Sequence, residues 1–176
     1  MKRALLGFGI RAGFGRYRFG APVADSLARH MRAIVNVVCR GAEAGLSTDD
    51  DVRAEGDRIP WTLKDFFWEG VAFGAAADNA FSLRRGNPDA HRRTSPHRLM
   101  DFTGYGLWIG MARAYHMPEF SLRDEVWEDV EDFVRYGPLI AGGISFGLVC
   151  ASRKFEPEMI ERMRLPDRPG WKDGAI

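Results

Sequence analysis

The sequence predicts an all-α fold, a single compact domain of about five glycine-notched helices around a central apolar helix. Three observations carry that expectation. Apolar residues recur at three- and four-residue spacing in several separate segments, the pattern of a helix with one buried face. The run Leu139 to Ala151, LIAGGISFGLVCA, is apolar all round, as a helix buried on every side would be. A chain of 176 residues with 45% hydrophobic and 28% charged content is long enough for one domain with its own core, and its composition is not that of a disordered, collagen-like or disulfide-stapled protein.

Each element follows from local signals. Residues 1–22, MKRALLGFGIRAGFGRYRFGAP, are basic, aromatic and glycine-rich without a sustained period, and read as an arm. A helical domain spans 23–155. From Asp25 onward, Leu27, Met31, Ile34, Val38 and Ala42 share a face, and Gly45 is a natural stop. STDDDVRAEGDRIP, residues 47–60, reads as a loop with one short helical turn. Trp61 opens a second helix to about Leu83, with Phe66, Gly70, Phe73 and Ala77 toward the core. A basic loop with Gly86, Pro88 and Pro96 follows. Ser95 is the expected cap and Pro96 the first residue of a third helix that ends near Tyr115, before Pro118. Ser121 caps a fourth helix with a stripe of Leu122, Val126, Val130 and Phe133. Gly137 and Pro138 interrupt it ahead of the apolar fifth. Residues 156–176 form a short helix, Pro157 to Met163, and a tail.

Charge narrows the function classes. Twenty-five basic against twenty-four acidic residues leave +1, so no global field draws the chain to nucleic acid. The uneven distribution is local. Lys2, Arg3, Arg11, Arg16 and Arg18 make the arm basic, a second basic stretch runs from Arg84 to Arg98, and residues 121–136 are acidic. The arm, residues 2–19, suits docking on the acidic fourth helix of its own fold, on a second copy in a homo-oligomer, or on an anionic membrane as a peripheral contact. No run reaches the roughly 20 apolar residues of a membrane span, and Arg11 with its neighbouring glycines breaks any secretory signal, so the expected location is the cytoplasm. Cys39 and Cys150 lack C-x-x-C spacing and read as buried free thiols.

An internal echo links three segments: Asp65-Phe66 with Gly70, Asp101-Phe102 with Gly106, and Asp132-Phe133 with Gly137. Glycines one turn apart recur at Gly70 and Gly74, Gly106 and Gly110, and Gly143 and Gly147. A helical glycine costs about 1 kcal/mol relative to alanine, so these pairs need a compensating contact. One reading makes them packing notches for a neighbouring backbone; the other makes them room for a flat apolar ligand, lined by Phe66, Gly70, Phe73, Gly74, Gly106 and Gly110.

With IPWTLKDFFWEGVAFG, HRLMDFTGYGLWIGMARAY, VEDFVRYGPLIAGGISFG and the opening LLGFGIRAGFGRYRFG, most of residues 4–150 resembles the bacterial family catalogued as domain of unknown function 1702. Typical members are longer, so the chain looks like a shortened form. Where the family often carries His and Gly ahead of an aromatic, this sequence reads Ala141, Gly142, Gly143, and no role for that histidine carries over. Members resembling this chain are encoded near enediyne and other polyketide synthases. That implies an accessory role in handling apolar unsaturated metabolites, with no established reaction.

Among residues that could do chemistry, Glu69 comes first, because it lies between Phe66 and Phe73 on a glycine-bearing helix face, where burial would raise its affinity for a proton. Tyr105 and Tyr136 hold the same place in the other echoes and could converge with it, although each also suits an ordinary core position. Metal chemistry is not expected. Asp49, Asp50 and Asp51 are consecutive rather than one turn apart, Asp78, Asn79 and Ser82 lack their downstream acid at Gly86, and His30, His91, His97 and His116 have no zinc spacing. No phosphate loop, nucleophile elbow or dinucleotide fingerprint is present, so no cofactor is expected. Three readings stand: an accessory protein binding an apolar small molecule or a protein partner, an enzyme using Glu69 for proton transfer, and a membrane-peripheral or assembly factor.

Overall fold

A computed structural model describes residues 24–47, 49–81, 98–116 and 135–152, with Met163 and Leu165. All regular structure in the described residues is helical: α1 (Asp25–Ala44), α2 (Asp49–Asp57), a 3-10 turn (Trp61–Leu63), α3 (Lys64–Phe81), α4 (Arg98–Tyr115) and α5 (Gly137–Ser152). The all-α expectation holds. The expected starts at Ser95 and Ser121, the arm, and most of the short C-terminal helix and tail lie outside the described residues.

α1 ends where expected, but for a different reason. Gly45 keeps ordinary right-handed angles, with φ of −60°, and donates its N–H to the Gly41 carbonyl at 2.8 Å. Its missing side chain leaves the space that the Val71 carbonyl of α3 occupies. α2 corrects the loop expected at 47–60, because a nine-residue helix stands there. Its polar sequence hides a narrow seam: Val52 and Gly56 are buried, and a Cβ on Gly56 would stand 3.1 Å from the rings of both Phe67 and Trp68. Tertiary burial on α3, not local periodicity, selects this helix. α3 is described as far as Phe81, and the expected end at Leu83 lies outside the described residues. α4 closes at His116, whose positive φ of 53° turns the chain out of the helix. α5 opens at Gly137 with Pro138 in its first turn, where a missing N–H costs no helical bond.

The long helices form a row, α1 on α3, α3 on α4 and α4 on α5. Glycine makes the first and last of these contacts very close. Cβ atoms added at Gly41 and Gly45 would collide with the carbonyls of Phe67 and Val71, and those added at Gly70 and Gly74 with the carbonyls of Val38 and Ala42. Contact partners advance in step along both chains, so α1 and α3 run parallel. The α4–α5 seam repeats this register: Gly106 and Gly110 face Ile140 and Ile144, while Gly143 and Gly147 face Thr103 and Leu107. In all eight cases the glycine meets the carbonyl three residues before a glycine of the other helix. The register reads the same from either helix of a pair, so it is compatible with the echo between α3 and α4. The third echo copy, at Asp132, lies outside the described residues.

Two apolar clusters share the interior. Val37, Val52, Ile59, Phe67, Trp68 and Val71 join α1, α2 and α3. The larger cluster runs from Val38 and Ala42 through Phe73 and Ala76 to Leu107 and Ile109 of α4 and Ile140, Ile144 and Leu148 of α5. Met163 is buried in it, and its carbonyl accepts a hydrogen bond from the Arg113 guanidinium.

Candidate functional site

The α3–α4 crossing differs in chemistry from the two glycine seams beside it. Glu69, Ala72, Phe73 and Ala76 recur at three- and four-residue steps on α3, and Gly104 of α4 lies on them. A Cβ at Gly104 would strike the Glu69 carbonyl and stand 2.7 Å from the Ala72 Cβ and 2.9 Å from the Phe73 nitrogen. On α4 the same spacing puts Asp101, Gly104, Tyr105 and Trp108 along one side. The Trp108 ring meets Phe73 edge-on at 5.7 Å. Asp101 lies one turn, about 5 Å, before the contact.

Glu69 and Asp101 are the two buried acidic side chains among the described residues, at 7% and 5% exposure. Burial pushes the Glu69 carboxyl up from its ordinary 4.5 to about 7, and desolvation is the cause. Among the described residues no neighbouring charge offsets it. The contrast with Glu55 is instructive. That carboxylate stands in solvent beside Arg40, whose Nε donates to it at 2.9 Å, and the hydrogen bond from Arg40 holds it below the ordinary value. A carboxyl with no cation is neutral in the folded protein at mildly acidic pH, and can then donate as well as accept a hydrogen bond.

Tyr105 is buried at the same crossing as Glu69. Tyr136 is placed elsewhere. It is half-buried just ahead of α5, stacked on Phe102 at 4.9 Å with the Arg135 guanidinium 5.7 Å above its ring, and so belongs to the α4–α5 seam. Phe73 is buried and Phe66 half-buried, both packed in the larger cluster. The four glycines expected to line a ligand, Gly70, Gly74, Gly106 and Gly110, are closed by carbonyls of the adjoining helices. Their space is spent on backbone contact, the packing alternative of the two read from the sequence.

Asp101 and Trp108 were not singled out by sequence reasoning. Asp101 carried a signal, because it opens one of the echo segments at the start of a helix whose next turns are apolar. Asp50 and Asp51 stand exposed at the start of α2. Among the described residues no group of three His, Cys, Asp or Glu side chains could hold a metal ion, and no helix is long and apolar enough to cross a membrane. The arm proposed for partner or membrane contact, residues 2–19, lies outside the described residues. No protein-family model, curated protein or solved structure matches the chain.

Proposed function

We propose that this chain is an accessory protein of an apolar-metabolite pathway, and that it holds a largely apolar, unsaturated molecule against the α3–α4 crossing with Glu69 as its polar contact. The observation that carries this reading is a carboxyl buried at 7% exposure with no charged partner among the described residues to stabilise it. An uncompensated buried acid is costly to a fold, and such groups cluster at working sites. The α4–α5 pair supports the same view, because it packs in the same register as α1–α3 and neither residue that precedes the matching glycine, Tyr105 on α4 or Gly142 on α5, is an acid. Helix pairing therefore places no demand for an acid there. The resemblance of residues 4–150 to a family found near polyketide synthases supplies the class of molecule.

A second reading is favoured by the acidity of Glu69. A carboxyl that titrates near neutrality is suited to general acid–base work, so proton transfer on the bound molecule is the natural extension, with Tyr105 at the same crossing. Titration of the purified chain with a fluorescent conjugated-tetraene alcohol separates these ideas. The wild type should bind saturably, and Glu69→Gln should bind about as well, because the amide matches the neutral acid in shape and polarity. Glu69→Leu should weaken binding by about tenfold, the worth of one polar contact. In deuterated buffer, label incorporation by the wild type and not by Glu69→Gln would establish proton transfer. Absence of saturable binding by the wild type would end the binding proposal.

A further inference from the structure

The four long helices all point the same way. α1 and α3 run parallel, and the partners of α4 and α5 advance together from Gly106 and Ile140 to Gly110 and Ile144. α4 also follows the direction of α3. Met100 packs on the cluster that holds Phe67, Trp68 and Val71, Gly104 lies on Glu69 to Phe73, and the Trp108 ring meets Phe73. The starts of the four helices therefore gather at one end of the row. Of the large apolar side chains that stand exposed among the described residues, Leu27, Trp61 and Leu99 are at this end. Tyr115 is at the opposite end, and its hydroxyl donates to the Ala151 carbonyl at 3.3 Å.

α1 reaches furthest at this end. Gly41 stands opposite Phe67, so the first residue of α3, Lys64, is level with Val38, and α1 begins thirteen residues earlier, at Asp25, about 20 Å beyond. None of the residues from Ala24 to Asn36 is buried. The stripe of Leu27, Met31 and Ile34 runs out past the start of α3, which covers its continuation at Val38, Gly41 and Gly45.

The charge at this end is that of α1. Arg29 and Arg32 stand exposed within two turns of its start. Residues 1–42 hold eight Lys and Arg against one acid, Asp25, whereas the rest of the chain has an excess of acids. Arg58 and Lys64 flank Trp61, each near an acid of α2, Glu55 at 3.5 Å and Asp57 at 4.0 Å. The apolar groups sit on three separate elements and form no continuous groove. A protein partner needs a closely fitted patch, whereas the interfacial zone of a bilayer accepts separated anchors, favours Trp, and attracts an amphipathic helix that carries cations.

We infer that this end of the row is a docking surface for an anionic lipid membrane, with Leu27, Trp61 and Leu99 as apolar anchors and Arg29 and Arg32 on the lipid phosphates. The long arginine side chains reach the phosphates while the stripe of α1 lies among the upper acyl carbons. The surface is separate from the Glu69 site, and its test does not depend on that reading.

Sedimentation of the full chain with vesicles tests this. It should bind vesicles of phosphatidylcholine with phosphatidylserine, not vesicles of phosphatidylcholine alone, and raised salt should release it. Replacing Arg29 and Arg32 together by Gln should weaken binding by about tenfold or more, and Leu27→Ser and Trp61→Ala each by about threefold or more. These side chains are exposed, so unchanged urea midpoints will show that the variants fold. No binding of the wild type to the anionic vesicles overturns the inference, as does equal binding to both kinds. Binding that every variant retains would place the lipid contact elsewhere on the chain and overturn it too. So would binding of a polyglutamate peptide, lost on replacing both arginines, in a chain that leaves vesicles alone, because the end would then serve an acidic protein.

Discussion

Replacing Glu69 by Gln should change the pH dependence of stability more than stability itself. In the unfolded chain Glu69 titrates at the ordinary 4.5, and in the folded chain at about 7. Between these values the folded state binds the additional proton, so stability falls as pH rises through the interval. The contribution is present in full below 4.5 and gone above about 7. At about 1.4 kcal/mol per pKa unit, the wild type gives up about 3 kcal/mol across that window, a sizeable part of the stability of a small domain. Gln has the shape of the protonated acid and does not titrate. Urea denaturation of both proteins at pH 5, 6, 7 and 8 measures the difference directly. Glu69→Gln should match the wild type at pH 5 to within about 1 kcal/mol and exceed it by about 3 kcal/mol at pH 8. Parallel stability profiles would show that the carboxyl is hydrated or paired in the folded protein, and the case for a desolvated acid at the crossing would fail.

The glycine seams and the apolar clusters make sharper mechanical predictions. Gly143→Ala should destabilise by about 1–3 kcal/mol despite the better helix propensity of alanine, because its Cβ would meet the Thr103 carbonyl, the Leu107 nitrogen and the Gly106 Cα, all backbone. Gly142→Ala, one residue away on the half-buried side, should stabilise by up to about 1 kcal/mol, and equal effects in thermal melts would refute the seam. Phe67→Ala should cost about 3–5 kcal/mol in urea, since Phe67 is fully buried against Trp68 with ring centroids 5.3 Å apart. Trp61→Ala should move the same midpoint by less than about 0.5 kcal/mol, because Trp61 is 84% exposed on the 3-10 turn.

Much of this fold could be read along the chain. α1, α3 and α5 show as apolar stripes or an apolar run, and the end of α1 at Gly45 and the start of α5 at Gly137 were marked by glycine. α2 could not be read that way, because only Val52 and Gly56 of its described residues are buried and the others, Ala54 aside, are polar. Its helicity depends on Phe67 and Trp68, which belong to another element. Glu69 stood out because an acid inside an apolar stripe is a local anomaly. Asp101 did not, since an acid in the first turn of a helix is ordinary and complements the helix dipole. Its burial follows from the approach of α3, a fact about a neighbour.

The sequence by itself determined the long helices α1, α3, α4 and α5 and that three of them carry closely spaced glycines needing a neighbour, because helical period and the cost of glycine are properties of a single segment. Only the tertiary structure decided which glycine meets which carbonyl. A small residue admits any backbone that can reach it, so α1 with α3 and α4 with α5 became partners through the parallel course of whole helices. The same packing put Glu69 beneath Gly104, where water is excluded and a carboxyl keeps its proton up to about pH 7.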